Sequence, residues 1–446
     1  ELITFDFKNK NSNKKFLIKK DKWSYFLKPN IDNKQNKKVS YYVDKLDEIL
    51  TNAVKETMLA DVQVGCFLSG GIDSSLISAI SQKISNKPIS TFSIGFVEKE
   101  YDESSYAKKV SNHLGTDHSE LIIDSQKLYS IFDQVIDVYD EPFADSSQIP
   151  TIILSKFARK KVKVVLTGDG ADELFGGYNR YIYINKVYLF LKLIPRSLKN
   201  KLSYFLFSSN IIYKIVLKIA HVLSLSKYKI PQIKDKIDKF SKILRSSNSK
   251  MEIYFSLLKV NQDINKSFFQ NSTNLDSYFT KEIKEILLNK KISDHDKMMT
   301  IDQNFYLNGD ILHKVDRASM NVGLETRIPF LNSKVYEFAQ NLPSDLKFNK
   351  GYGKWILREL SKKYIPSDIY LRKKMGFSIP LNKWIKINSK KIINNFQKNK
   401  QILIENGINV DNVNLYLKEH VDEKRDWSGY LWNIIIFERW LNKKTI

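Results

Sequence analysis

The chain predicts an α/β fold, a parallel sheet with helices on both faces, followed by a mostly helical part. Three observations predict it. Between Val62 and Leu166, short apolar runs of strand type alternate with helical periods. Two of those runs break into glycine turns that open a helix, one beginning at Ser69 and the other at Thr167. Beyond Tyr183 the strand signals fade and helical spacing continues to the end.

In chain order, residues 1–36 carry short alternating segments (Leu2, Ile3, Phe5, Phe7, then Phe16, Leu17, Ile18, Trp23, Tyr25) separated by Lys/Asn runs, with a polar linker from Pro29 to Lys38. Val43, Leu46, Ile49, Leu50, Val54 and Met58 then space like one face of a helix. Strands are expected at 62–68, 89–96, 119–123 and 162–166, and helices at 103–114, 126–139 and 148–159. In such a sheet ligands bind beyond the carboxyl ends of the strands. Apolar residues at 211, 212, 215, 216, 219, 222 and 223 face Lys214, Lys218 and His221. Packing on the core is the expected fate of this basic amphipathic helix, ahead of a membrane surface. No run approaches the ~20 uncharged residues that cross a bilayer, and no internal repeat is seen. Three segments are expected: 1–38 as strands and linker, 39–184 as the α/β core, and 185–446 as the helical part.

At 446 residues, with 42% apolar and 27% charged residues, the chain is globular rather than disordered. The single cysteine, Cys66, excludes a disulfide framework and a cysteine-based zinc site, and its place in a strand marks a packed thiol. With no secretory signal, a cytoplasmic location is the default. The first residue, Glu1, is not methionine, so the chain is expected to be a fragment or processed product. The formal charge of +23 is mostly lysine spread along the whole length. A nucleic-acid face would gather arginines among exposed aromatics, so no nucleic-acid or membrane partner is expected.

The stretch Ser69-Gly70-Gly71-Ile72-Asp73-Ser74-Ser75 joins a strand to a helix. Such a turn aims backbone N–H groups and a helix dipole at one spot, which suits a phosphate. Gly70 and Gly71 permit close backbone approach, the serines donate, and Asp73 can hold a metal that bridges phosphate oxygens. The lysine of a Walker A loop is missing. The stretch Thr167-Gly168-Asp169-Gly170-Ala171-Asp172-Glu173-Leu174-Phe175-Gly176-Gly177-Tyr178 repeats the logic. In a parallel sheet Asp73 and Asp172 can converge on one Mg2+; the plainer reading has Asp172 and Glu173 complementing a helix dipole for ~0.3–1 kcal/mol.

The first turn resembles the SGGxDS pyrophosphate loop of the N-type ATP pyrophosphatases, of the adenine-nucleotide α-hydrolase type. With the second turn it resembles the synthetase domain of the glutamine-dependent asparagine synthetase family. The match runs on through Tyr101-Asp102-Glu103-Ser104, Asp140-Glu141-Pro142-Phe143-Ala144-Asp145-Ser146-Ser147 and Lys314-Val315-Asp316-Arg317-Ala318-Ser319-Met320. Leu324-Glu325-Thr326-Arg327, Gly353-Lys354-Trp355, Arg372-Lys373-Lys374-Met375-Gly376-Phe377 and the closing Leu431-Trp432 to Trp440-Leu441 follow in family order. Residues 185–295 carry no matching motif.

The resemblance implies a two-step ligase: ATP adenylates a carboxylate and releases pyrophosphate, then ammonia gives the amide and AMP. Aspartate is the implied carboxylate, and ATP and Mg2+ are the implied cofactors. Ser69, Gly70, Gly71, Ser74 and Ser75 would grip pyrophosphate, and Asp73 and Asp172 the metal. Leu68, Ile94, Thr167 and Gly168 would lie against adenosine, and Lys354 would stabilise the α-phosphate in the transition state; read without the resemblance, Lys354 is equally a solvated lysine. The resemblance implies that Asp169 helps position or deprotonate the incoming amine; it stands where the best-known asparagine synthetases have glutamate, so the acceptor geometry is open. Asp310, Lys314, Asp316 and Arg317 form a charge cluster with Glu325 and Arg327 that either lines the acceptor pocket or joins the two halves by ion pairs.

Family members begin with a glutaminase domain whose N-terminal cysteine is the nucleophile; this chain lacks one, so residues 1–38 are expected to follow that missing domain. Free ammonia is then the expected nucleophile of the chain by itself, with a homodimer as one expected assembly. Rival readings are amidation of a uronic-acid sugar, ring closure as in β-lactam synthetase, and a tRNA-modifying pyrophosphatase. A catalytic tyrosine at the position of Asp169 would mark the second, and salt-sensitive RNA binding the third.

Overall fold

The structure is a computed structural model that describes residues 37–98, 100–208, 233–258, 279–372, 376 and 379–444, with two strands before them. Those strands, β1 (Leu2–Phe5) and β2 (Ile18–Asp21), pair antiparallel. The expected helix at 211–223 lies outside the described residues, as do Lys373, Lys374, Met375 and Phe377.

The core is a parallel sheet of β3 (Val64–Phe67), β4 (Ser90–Phe96), β5 (Asp117–Ile123), β6 (Val164–Leu166) and β7 (Glu325–Arg327), in the order β5-β4-β3-β6-β7. The order reverses between β3 and β6, which pair Val64↔Val164 and Cys66↔Leu166. The chain steps outward on one side through β4 and β5, and on the other through β6 and β7. A crevice therefore opens where the carboxyl ends of β3 and β6 send their connections apart. All four strands expected from the sequence are present. β7 falls in the region expected to be helical: at three residues, two of them charged, it carries no periodicity, and only its register on β6 makes it a strand.

Helices cover both faces, and α3 (Ser104–Leu114) joins β4 to β5. On one, α1 (Val39–Thr57) and α2 (Ile72–Ile84) pack with 333–340 and 355–361 around Leu46, Leu50, Cys66, Ile80, Leu166 and Leu357. Burial pushes the Cys66 thiol up to about 11, so it is an inert packed group. On the other face, α4 (Ser125–Val138), α5 (Gln148–Ala158) and the C-terminal helix Ser428–Lys444 enclose Phe92, Ile94, Ile123 and Trp432. Helices drawn from 179–192, 233–258 and 294–301 build a third cluster around Tyr181, Tyr254 and Met298. Between Asp294–Ile301 and His313–Met320 the helix widens to π geometry over Asp302–Leu312, a form that collects at functional sites.

Candidate active site

Both glycine turns emerge at the switch point. The first leaves β3 and enters α2 at Ile72, whose first-turn N–H groups lie beyond reach of intrahelical acceptors. Its hydroxyls shape the turn: Ser69 N donates to Ser74 Oγ at 3.2 Å, Ser69 Oγ lies 3.0 Å from Ser74 Oγ, and Ser74 Oγ donates to Gly71 O at 3.3 Å. Ser75 is fully buried on the inner side. The second turn leaves β6 through Thr167, whose N–H donates to Arg327 O at 3.0 Å, and enters α6 (Ala171–Phe175). The turns touch. A Cβ on Gly168 would stand 2.8 Å from Ser74 N and 3.0 Å from Asp73 Cβ, so only glycine admits this approach.

A third segment, from the far C-terminal part of the chain, closes the site. Lys354 Nζ lies 2.6 Å from Asp73 Oδ2 and 2.6 Å from Asp172 Oδ1, with the lysine side chain only 4% exposed. Its backbone is left-handed (φ 54°), and its N–H donates to Phe175 O at 3.1 Å. A Cβ on Gly177 would overlap both Asp172 Oδ1 and Lys354 Cε, which is why this position is bare. Lys354 is thus no solvated lysine, and Asp172 does more than complement a dipole.

The turns floor a cavity of about 370 Å3, a size that suits a nucleotide-scale ligand. Of the residues singled out in the sequence, Leu68, Ser69, Asp73, Ser74, Ile94, Thr167, Gly168, Asp169 and Asp172 line it, and Phe67, Phe92 and Phe96 add an apolar wall. Thr167, part of the cavity lining, has its Oγ1 buried with no hydrogen-bond partner among the described residues. Arg372 braces the first turn from outside: it donates to Gly70 O at 3.4 Å, pairs with Glu103 and stacks on Tyr106 at 4.0 Å.

The far end is polar. Lys314 Nζ is 2.7 Å from Asp145 Oδ2 and 3.9 Å from Asp310 Oδ1. Burial raises Asp145, but Lys314 outweighs it and holds the carboxyl below its ordinary value; burial and the neighbouring Asp145 push Asp310 up to about 7. Glu173, buried beside Asp172, is likewise pushed up to about 7, and Tyr178 donates to it. Tyr306, on the π segment, joins the wall. Asp145, Asp310 and Tyr306 also border a second, more open cavity of about 550 Å3 with Glu141, Phe143 and Trp432.

The charge cluster divides. Lys314 lines the main cavity and Asp310 the adjoining one, whereas Asp316 and Arg317 are exposed and Arg317 pairs outward with Asp140 at 2.9 Å. Arg327 donates to Thr57 O and Leu59 O at 2.8 Å each, tying β7 to the end of α1. Asp145, Glu173 and Tyr178 sit inside stretches quoted above without an assigned role; Tyr306 carried no sequence signal.

For Mg2+ the donor set fits: two carboxylates from facing turns converge on one cationic atom, the Lys354 ammonium, and hard oxygen ligands with room for phosphate oxygens are what this ion takes.

The sheet order, the two acid-bearing turns and the helical addition are those of an α/β N-type ATP pyrophosphatase domain joined to a helical part. The family model described as asparagine synthase matches residues 45–442, and the chain belongs to that family. It is 30% identical over 406 residues to the glutamine-hydrolyzing asparagine synthetase 1 of Bacillus subtilis (strain 168), covering 89% of this chain and 59% of that protein. A putative glutamine-hydrolyzing asparagine synthetase of Mycobacterium tuberculosis (strain ATCC 25618 / H37Rv) is 28% identical over 417 residues, 89% of this chain and 57% of the relative. A putative second such synthetase of Methanocaldococcus jannaschii is 39% identical over 166 residues, 36% of this chain and 32% of the relative. The chain thus spans under three fifths of the length of the first two. Among the described residues no helix is long and apolar enough to cross a membrane.

Proposed function

We propose that this chain is the synthetase part of an amide-forming ligase that adenylates a carboxylate, the side chain of aspartate, with release of pyrophosphate, and then joins ammonia to it with release of AMP. The observation that carries the reading is the meeting of Asp73, Asp172 and Lys354 at the two glycine turns.

In this reading residues 39–184 form the nucleotide-binding core and 185–446 complete the site. The first turn of α2, with Ser69 and Ser74, binds the β- and γ-phosphates through N–H and O–H donors. Leu68, Ile94, Thr167 and Gly168 hold adenosine. Asp73 and Asp172 would hold Mg2+, which when bound offsets charge on the departing pyrophosphate. Lys354, fixed by Phe175 O and Gly177, places an ammonium beside the α-phosphate, where charge builds in the transition state. Asp145 orients Lys314 toward the acceptor's carboxylate end, and Asp169 takes up a proton from the attacking amine. Balance requires that one: the C–N bond forms, the C–O bond to AMP breaks, and nitrogen sheds a proton. The relatives' names specify glutamine hydrolysis, and we take glutamine, split by a glutaminase part outside these residues, as the ammonia source in the cell.

The test is pyrophosphate release by the 446-residue chain with ATP, Mg2+ and ammonia, with aspartate compared against a panel of uronic acids. Release that depends on aspartate supports the reading, a uronic acid in its place moves the acceptor, and no release with any of them overturns it. Asp73→Asn should abolish release.

A further inference from the structure

The two acids that would receive a metal already hold a cation. Lys354 Nζ sits 2.6 Å from one oxygen of each, distances typical of charge-assisted hydrogen bonds. The ammonium is not a loose side chain that happens to reach them. Its backbone lies in a left-handed conformation rare for a residue with a side chain, its N–H is tied to Phe175 O, and its stem runs over Gly177 where a methyl would collide. Lys354, Asp73 and Asp172 are 4%, 18% and 14% exposed.

We propose that Lys354 serves as a resident counter-cation that bars a lone divalent ion from Asp73 and Asp172, so that metal enters only together with a nucleotide's phosphates. This rests on the synthetase reading above and adds an order of binding to it. A divalent ion and an ammonium cannot both sit between the same two carboxylate oxygens. To put the ion between those two oxygens the lysine must leave at least one acid, and a buried ammonium that loses a partner is strongly disfavoured unless another anion takes it up. At 4% exposure the ammonium has little water to turn to where it stands. Phosphate oxygens can take it up, and the turn that would bind them lies beside Asp73. Metal and nucleotide therefore bind with positive coupling, and the coupling is reciprocal. The same pairing keeps the two acid-bearing turns in register, since each supplies one of the carboxylates.

Mn2+ alone is the probe, its free fraction read by electron paramagnetic resonance. The wild-type chain is expected to take up no Mn2+ at about 0.1 mM, and one ion per chain once a non-hydrolysable ATP analogue is added. Lys354→Met should acquire a nucleotide-independent site at least ~10-fold tighter than any in the wild type. Lys354→Arg should not, and Lys354→Met combined with Asp172→Asn should lose it again. Nucleotide-free wild type that binds Mn2+ as tightly as Lys354→Met overturns the proposal, as does a folded Lys354→Met, checked by thermal unfolding, with no new site. If Lys354→Met does not fold, Lys354→Gln and the wild-type comparison decide it. Failure to bind the analogue would sink the synthetase reading itself, whereas metal uptake without nucleotide sinks only this inference.

Discussion

Lys314 reaches from the helix His313–Met320 to place its ammonium 2.7 Å from Asp145, in the loop between α4 and α5, while staying within 3.9 Å of Asp310 one turn earlier. One cation thus serves two acids pushed in opposite directions, Asp145 downward by the ammonium and Asp310 upward by burial and by Asp145. This contact joins the helical part to the sheet at the wall shared by the two cavities.

Replacing Asp310 by asparagine should raise stability at alkaline pH. Burial and Asp145 lift its carboxyl from an ordinary 3.8 to about 7, so the folded protein keeps a proton the unfolded chain gives up. That contribution to stability is fully present below the ordinary value and is lost as pH rises through about 7. An amide in its place has no such proton to lose. At about pH 8 the variant should exceed wild type by about 1 kcal/mol, solvent at this partly exposed carboxyl damping the effect, and the gap should close by about pH 4. Urea unfolding at both pH values checks it; an unchanged gap means Asp310 titrates normally.

Gly177→Ala should disable the site more than it weakens the fold. The new methyl overlaps Asp172 Oδ1 and Lys354 Cε, so the lysine must tilt from both acids. A pyrophosphate-release rate down by ~100-fold or more is expected, against a stability loss of about 1–3 kcal/mol. Stopped-assay rates set beside thermal unfolding separate the two.

Arg372→Ala should weaken nucleotide binding. It removes the brace on Gly70 O and one ion pair of Glu103. The expected result is a KM for ATP raised roughly 10-fold with kcat nearly kept. A fall confined to kcat would show that Arg372 acts on chemistry instead.

Asp302 is a stability position. Its carboxylate is 1% exposed and accepts from Arg180 at 2.7 Å, from Tyr254 Oη at 2.8 Å and from Tyr181. Asp302→Asn leaves the half-buried Arg180 guanidinium against a neutral partner and should cost about 3 kcal/mol. Denaturant unfolding with an unchanged midpoint would contradict this.

Much of this was legible in the sequence. The apolar runs betray β3 to β6 because buried parallel strands read as continuous apolar stretches, and a glycine turn that opens on an acid announces itself by composition. β7 escaped because Glu325, Thr326 and Arg327 have no apolar face; their pairing with Val164, Val165 and Leu166 is a fact of tertiary structure. Lys354 stood out by resemblance alone. Its partner Asp73 lies 281 positions earlier, Asp172 belongs to a different turn again, and nothing local foretells that meeting. Asp316 and Arg317 looked equal to Asp310 and Lys314 in the sequence, yet helical phase turned the first two to solvent.

That phase is itself informative. Over Asp302–Leu312 the chain is wound wider than an α-helix, and this stretch carries Asp302 into the core and sets Tyr306 and Asp310 at the cavity walls. A wide turn of this kind holds about one residue more than the α form. Deleting one position there would let the segment rewind and swing everything downstream, Lys314 included, by roughly 100° about the axis. The wall that carries Tyr306 and Asp310 is therefore adjustable by a length change as well as by substitution, and a single codon lost or gained there would reshape the chamber while the two glycine turns stay untouched.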